Sequence, residues 1–589
     1  MNLRARTDII LLAGFCAFLF FYGLGGFGLI GADEPRYAQV AREMLDHHDW
    51  ITPVLNGHPW LEKPPLYYWQ AMLAYSVLGV SDVAARVPSA LDATLLVMAV
   101  YLFFRRFRRG VEIDAALIAA SCAGIIGYAR AASTDMPLAA SFAIGMLAWW
   151  AWRESGKRIY LALFYLFIGV GTLAKGPVAP FLAAVIIVLL ALLLTEFRLI
   201  AKTLWLPGIL LFLLVALPWY IAVDLRNPQF FREFILEHNL ARFSTNLYHH
   251  PEPFWYYLPV TALALVPWIV FVIAAFVAPV RVWWAENRLG WRHPEGSRFS
   301  GGAKDLARGE QNANAREIPR PASESAGLRD DAVSIGGSPA EGGPDFEFQF
   351  NLFACCWLIV PVIFFSFSQS KLPGYILPAI PAGAILLADY LRRHSEDRAR
   401  VSRWLTIPHG VIAAVPIIPS LLIAYLVSEK HLPAGRPLYV AIAIALVVTI
   451  GIVLTLISRA GFRMLRFVTL VPVVLVVAFV LRFGSRAIDL KMSARPLAVE
   501  LASIETHPLR VAVCGTSREL EYGLAFYRNQ TIARYESGEV PAGEHLLVSP
   551  PAWKKNVDKV TAGRRVTFLG YYGPQNVDYY FVAADHLGR

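Results

Sequence analysis

Charge is scarce in this chain. Asp, Glu, Lys and Arg make up 17% of its 589 residues, against roughly 25% in soluble domains. Cysteine is scarcer still. Four of the five, Cys16, Cys122, Cys355 and Cys356, lie in apolar runs, with Cys514 apart. No spacing among them suits a zinc site or a disulfide framework. Internal repeats are missing too, and the polar residues cluster in the outer loops, which argues against a transporter. What the chain has in excess is apolar surface: 56% of residues are hydrophobic and the mean hydropathy is +0.48. A soluble domain has no use for that much. The net charge of +10 does not call for nucleic acid, because Lys and Arg fall in the loops between apolar runs, where they meet anionic lipid.

About 20 apolar residues span a bilayer. Such runs lie at 9–30, 83–104, 111–129, 137–152, 159–174, 177–195, 203–223, 256–280, 350–368, 375–391, 404–427, 437–457 and 465–483, about 13 transmembrane helices. Arg4 and Arg6 hold the N-terminus inside, and the first run is read as an uncleaved helix. Alternate loops then carry the arginines: Arg105, Arg106, Arg108 and Arg109, then Arg153, Lys157 and Arg158, and later Arg392, Arg393, Arg398, Arg400 and Arg403. That pattern puts 31–82, 130–136, 224–255, 369–374 and the C-terminal segment on the outer side.

The reading is a polytopic α-helical membrane domain over 1–484 and a small outer α/β domain over 485–589. In the latter, Arg510–Cys514, Leu546–Val548, Val566–Leu569 and Tyr579–Ala583 are strand-like, and Ala494–Ile504 and Ser517–Tyr527 are helical by period. An accessory role suits this domain better than a catalytic one. The inner stretch 284–347 is rich in Gly, Ser, Ala, Glu and Arg and poor in large apolar residues, so it is expected to be a disordered loop.

The chemistry gathers in the outer loops. Pro35 suits a first helical turn and Asp33 or Glu34 its cap. Tyr37, Val40, Ala41, Met44 and Leu45 form one face, with Arg42, Glu43, Asp46 and His47 opposite. This is an amphipathic helix expected to lie along the membrane surface. Its paired carboxylates fit capping, or a site for a charged headgroup. Glu62 and Lys63 sit between aromatics and Pro64-Pro65; they read as an interfacial anchor, or as a partner for a lipid phosphate. Asp135, before Pro137, reads as a cap, or as a second carboxylate facing Asp33. His238, His249 and His250 are loop histidines with metal binding as the alternative. Lys371 and Tyr375 join them on the same side.

These segments come in a distinctive order: Asp33-Glu34-Pro35-Arg36-Tyr37, Asn56-Gly57 with Glu62-Lys63-Pro64-Pro65-Leu66-Tyr67-Tyr68-Trp69, Ser133-Thr134-Asp135, His238 with Arg242-Phe243, His250-Pro251-Glu252-Pro253-Phe254-Trp255, and Lys371-Leu372-Pro373 with Tyr375 and Leu377-Pro378. Over about 1–480 the chain resembles the bacterial aminoarabinose transferases of lipid A, within the protein mannosyltransferase-like superfamily. The resemblance implies a GT-C fold in the bacterial inner membrane with its active site facing the periplasm. The donor would be a sugar on undecaprenyl phosphate, the acceptor a lipid A phosphate, and the enzyme a monomer that binds no nucleic acid. Asp33 would be the main catalytic carboxylate and Asp135 a second. Lys63, Arg36, Tyr37, Tyr375 and Lys371 would serve the donor phosphate and lipid. A divalent metal, zinc or magnesium, would lie at Glu62 with His238 and His250. Trp60 departs from the tyrosine usual there, and the inner loop is longer than usual. The alternatives are the same fold moving another polyprenyl-phosphate-linked sugar to lipid A, another glycan or a protein, a lipid flippase, and a non-enzymatic lipid-binding protein.

Overall fold

The structure is a computed structural model. It describes residues 3–234, 252–292, 344–396, 401–427, 436–458, 461–561 and 564–584. Each of the thirteen apolar runs is largely helical in these residues. Among the described residues eight helices are long and apolar enough to cross a membrane, or ten if each of two bent pairs counts as one span. The first helix, Leu3–Cys16 with a wider turn over Ala17–Phe21, ends well before the predicted residue 30. At the far end, the helix predicted to stop at 483 runs on to Met492.

The two bent pairs correct the expectation of straight spans. Glu112–Ser121 and Ala123–Ala129 meet at 65°, and Phe254–Ala264 and Ile269–Ala285 meet at 114°. Broken backbone at membrane depth leaves N–H and C=O groups that lipid cannot satisfy. Here the breaks satisfy each other. The Ala123 N–H donates to the Val266 carbonyl at 2.9 Å, and the Trp268 indole donates to Ser121 Oγ at 2.9 Å. Gly124 allows the approach, since a Cβ there would lie 2.8 Å from the Ala264 side chain.

Aromatic side chains fill the bundle core. Trp149 and Trp150 are fully buried, and Trp150 stacks on Phe353 with centroids 4.9 Å apart. At the arginine-rich end, Arg108 pairs with Glu154 at 2.7 Å and Arg466 with Asp114 at 3.0 Å. The helices flanking the predicted inner loop reach further than expected, to Arg292 on one side and from Pro344 on the other. The rest of that stretch lies outside the described residues.

At the opposite end, helix Asp33–Asp46 has the predicted faces: Tyr37, Val40, Ala41 and Met44 are buried, and Asp46 and His47 are exposed. It does not carry the predicted side-chain cap. Nor does it lie free on a surface, because its apolar face packs under Tyr522 and Phe526 of the C-terminal domain. Beside it, strands β1 (Val54–Leu55) and β2 (His58–Pro59) form a small hairpin. Asn56 and Gly57 make its turn with φ of 55° and 76°, the left-handed pair that a two-residue Asn-Gly hairpin requires. Glu43 accepts the N–H groups of both, at 3.0 and 3.1 Å.

The C-terminal domain has a five-stranded sheet of β3 (Arg510–Val513), β4 (Ala533–Arg534), β5 (His545–Ser549), β6 (Val566–Tyr572) and β7 (Val577–Val582). Their order is β4-β3-β5-β7-β6. β3 runs parallel to both neighbours, and β7 antiparallel to both of its own. Helix Arg518–Arg528 begins at Ser517, whose hydroxyl caps the Leu520 N–H.

Candidate active site

The site lies where helix Asp33–Asp46, the turn before Pro64-Pro65 and the segment 130–135 meet. Asp33 and Glu34 are adjacent but have different fates. The Glu34 side chain is buried and fully committed: it accepts the N–H of Ile30 at 2.9 Å and of Ala132 at 2.8 Å. Arg86 donates to its other lone pairs at 2.6 and 3.3 Å. Glu34 is therefore a strut between the two carboxylate-bearing segments, and it is not free for a cationic sugar. Asp33 turns outward, with half of its side chain exposed, and accepts from Arg36 at 2.5 Å.

Arg36 is the centre of the cluster. Its guanidinium carbon lies 5.2 Å from the rings of both Tyr37 and Trp60. Burial works against its charge, but the fields of Tyr37, Asp33 and Glu62 outweigh that and hold it protonated. Tyr37 is buried, its ring 6.2 Å from Tyr67 and 6.3 Å from Tyr68. Burial raises the Tyr68 phenol well above its ordinary pKa, with Glu62 and Asp33 adding to the effect against Arg36. Glu62 and Lys63 are half-buried in the turn before Pro64-Pro65. Three buried donors here, Arg36 Nε, Trp60 Nε1 and Tyr68 Oη, have no hydrogen-bond partner among the described residues. An unmatched buried donor costs about 1–3 kcal/mol, so donors gathered around one cation are suited to receive an anion.

Asp135 opens helix Asp135–Ser155. It accepts from Ser133 Oγ at 3.0 Å and is ion-paired to Lys175. The Lys175 ammonium lies 4.5 Å from the centre of the Tyr375 ring. Glu34, next to Asp33, holds the Ala132 N–H three residues before Asp135, so the two carboxylates are carried on joined segments. Thus Asp33, Arg36, Tyr37 and Glu62 form one half of the site, and Asp135 and Tyr375 belong to the other. Lys371 is set apart. Its buried ammonium donates to the carbonyls of Glu252 at 3.0 Å and Ser368 at 2.6 Å. Burial lowers its pKa, and Glu252 partly offsets this. It ties two loops together. His238, His249 and His250 lie outside the described residues. Among the described residues no three His, Cys, Asp or Glu side chains converge on a metal position.

Two important residues escaped the sequence reading. Arg86 and Lys175 both sit within or at the end of apolar helices. A charge placed there needs a partner, and that was the available signal.

Residues 8–232 match the family described as dolichyl-phosphate-mannose-protein mannosyltransferase. An undecaprenyl phosphate-alpha-4-amino-4-deoxy-L-arabinose arabinosyl transferase of Aeromonas hydrophila is 28% identical over 500 residues, covering 81% of this chain and 78% of its own. Its counterpart from Aeromonas salmonicida is 27% identical over 539 residues, covering 87% and 83%. Among solved structures, ArnT from Cupriavidus metallidurans in the apo state has a TM-score of 0.69 at 18% identity over 98% of both chains. The same protein bound to undecaprenyl phosphate has a TM-score of 0.67 at 20% identity over 97% of both. The chain is similar in sequence to those transferases over most of its length and has the GT-C fold of these solved structures.

Proposed function

We propose that this chain, a multi-pass membrane glycosyltransferase, moves 4-amino-4-deoxy-L-arabinose from undecaprenyl phosphate to a phosphate of lipid A at the periplasmic face of the bacterial inner membrane. The observation that carries this reading is the set of unmatched donors around Arg36, next to the outward-turned Asp33. The relatives' activity supports the sugar and carrier, and a fold-mate binds undecaprenyl phosphate.

The chemistry suits these residues. The bond from the anomeric carbon to the donor phosphate oxygen breaks, and the electron pair leaves with undecaprenyl phosphate. A bond forms between that carbon and an oxygen of the acceptor phosphate. The leaving group is a phosphate monoester, so it needs positive charge more than a proton. Arg36 and Lys63 supply it, aided by the Trp60 and Tyr68 donors. The acceptor is already anionic and needs no general base. Asp33 then stabilises positive charge developing on the sugar, or orients the acceptor. Asp135, neutralised by Lys175, lines the far wall with Tyr375. A divalent ion, zinc or magnesium, at Glu62 belongs to the proposal, with ligands from His238 or His250. Of these three, Glu62 lies within the described residues.

Mass spectrometry of lipid A from cells with and without the gene tests the reading. The expected gain is one aminopentose per modified phosphate. An unchanged lipid A, with the aminopentose found on another glycan or a protein, would move the acceptor.

A further inference from the structure

Arg36 has a third aromatic neighbour, and it comes from the other domain. The Tyr522 ring lies 5.7 Å from the guanidinium carbon and is itself buried. Tyr522 belongs to helix Arg518–Arg528, about 490 positions away in sequence. The rest of that interface is specific. Arg42 donates to the Phe526 carbonyl at 3.2 Å. The Tyr527 hydroxyl accepts the Leu29 N–H at 2.6 Å and donates to Asp82 at 2.6 Å. Arg495 bridges Asp82 at 2.8 Å and Asp489 at 2.7 Å, and Asp489 accepts the Gly28 N–H at 2.8 Å. The C-terminal domain therefore grips both the segment leading into Asp33 and the helix that Asp33 begins.

We propose that Tyr522 is a positioning residue for the donor site: its ring closes the aromatic collar of Tyr37 and Trp60 around Arg36, so the anion-binding arginine is fixed only when the C-terminal domain is docked. The inference rests on the reading that Arg36 meets the donor phosphate. An arginine side chain has several rotatable bonds, and orienting it before the ligand arrives removes an entropic cost from binding. The collar also excludes water from the guanidinium, which strengthens its pairing with an anion. Two of the three rings come from the membrane domain. The third makes the site a joint product of both domains, which gives the C-terminal domain a direct part in binding.

The test uses the full-length protein in nanodiscs, with undecaprenyl phosphate as the probe for binding and sugar transfer as the second readout. Tyr522→Leu keeps apolar bulk but removes the ring. It is expected to weaken undecaprenyl phosphate binding on the order of tenfold, the scale of a lost desolvated cation–π contact. It should raise KM for the donor far more than it lowers kcat. Tyr522→Phe keeps the ring and should restore binding. In Arg36→Ala the Tyr522→Leu change should have no further effect. A Tyr522→Leu protein that binds like wild type, or whose loss simply multiplies that of Arg36→Ala, overturns the proposal alone. A wild-type protein that does not bind undecaprenyl phosphate overturns the donor reading and takes the proposal with it. Thermal unfolding of each variant guards against loss of docking. A Tyr522→Phe protein as weak as Tyr522→Leu, at wild-type stability, also overturns the role of the ring.

Discussion

Arg86 holds Glu34 by two bonds, Nη2 to Oε2 at 2.6 Å and Nε to Oε1 at 3.3 Å, with both side chains out of reach of water. Its remaining donors go to the carbonyls of Leu24, Phe27 and Gly28 at 2.8–2.9 Å. Every hydrogen-bonding position of the guanidinium is used. This one side chain ties down the segment that follows the first helix, the start of helix Asp33–Asp46 and, through Glu34, the segment that carries Asp135.

Removing one partner of such a pair leaves a buried charge uncompensated, which costs about 3–5 kcal/mol. Arg86→Met and Glu34→Gln are each expected to lower the thermal midpoint sharply and to reduce the amount of protein in the membrane. The double variant, with no unpaired charge, should recover part of the loss. Thermal unfolding in one detergent measures all three. Single variants as stable as wild type would show that the pair does not hold this junction.

Asp33 is the opposite case. Its side chain is half exposed and its ion-pair partner among the described residues is Arg36, so Asp33→Asn should fold and insert normally. Transfer should fall at least about 100-fold, the scale for losing a preorganised charge from a reaction centre. Lipid A mass spectra together with membrane expression levels check both halves. Full activity would remove Asp33 from the mechanism.

Much of this architecture was legible in the sequence. The apolar runs and the arginine-rich loops located the helices, because bilayer thickness and charge asymmetry act on sequence directly. The faces of helix Asp33–Asp46 and most of the C-terminal strands followed from period alone. What escaped depended on contacts distant in sequence. Nothing local says that Ala123 will bond the Val266 carbonyl, so two bent pairs read as straight helices. Asp33 and Glu34 look alike as a pair; only Arg86, about fifty residues on, separates catalytic candidate from strut. The loop of Lys371 put it on the side of the site, while nothing local says that its ammonium donates to the carbonyls of Glu252 and Ser368. The Asn56-Gly57 turn was readable as a hairpin and passed unnoticed.

The Asp135–Lys175 pair makes a separate claim. If Lys175 neutralises Asp135 and holds it beneath Tyr375, Asp135→Asn and Lys175→Met should each depress transfer. Their combination should be much less than multiplicative, because the second change removes a partner already lost. Transfer rates for the two single variants and the double complete the cycle. Fully multiplicative losses would mean that the two residues act independently.

The metal proposal is tested by content before activity. Protein purified without added metal, then dialysed against a chelator, should lose about one equivalent of zinc or magnesium by elemental analysis, and Glu62→Gln should lower that content. A wild-type protein that carries no stoichiometric metal removes the ion from the site.

Gly374 gives the narrowest test of where Asp135 must be. A Cβ built on Gly374 would lie 2.5 Å from Asp135 Oδ2, 2.6 Å from its Cγ and 2.8 Å from the Tyr128 hydroxyl. Real Cβ atoms do not come that close, so in Gly374→Ala either the carboxylate or the loop moves. The backbone at Gly374 is not in the left-handed region reserved for glycine, so alanine itself brings no conformational penalty there. The change therefore works as a wedge against the Asp135 carboxylate. Misplacing a reacting or binding group by about 1 Å can cost about 100-fold. Gly374→Ala is expected to keep its expression and thermal midpoint near wild type while transfer falls at least about tenfold. Gly57→Ala is the control: none of the described residues comes within 4 Å of its Cβ position and its φ is +76°, so it should lose stability before activity. If Gly374→Ala transfers sugar at the wild-type rate, the position of Asp135 is not critical, and catalysis rests on the Asp33 half of the site.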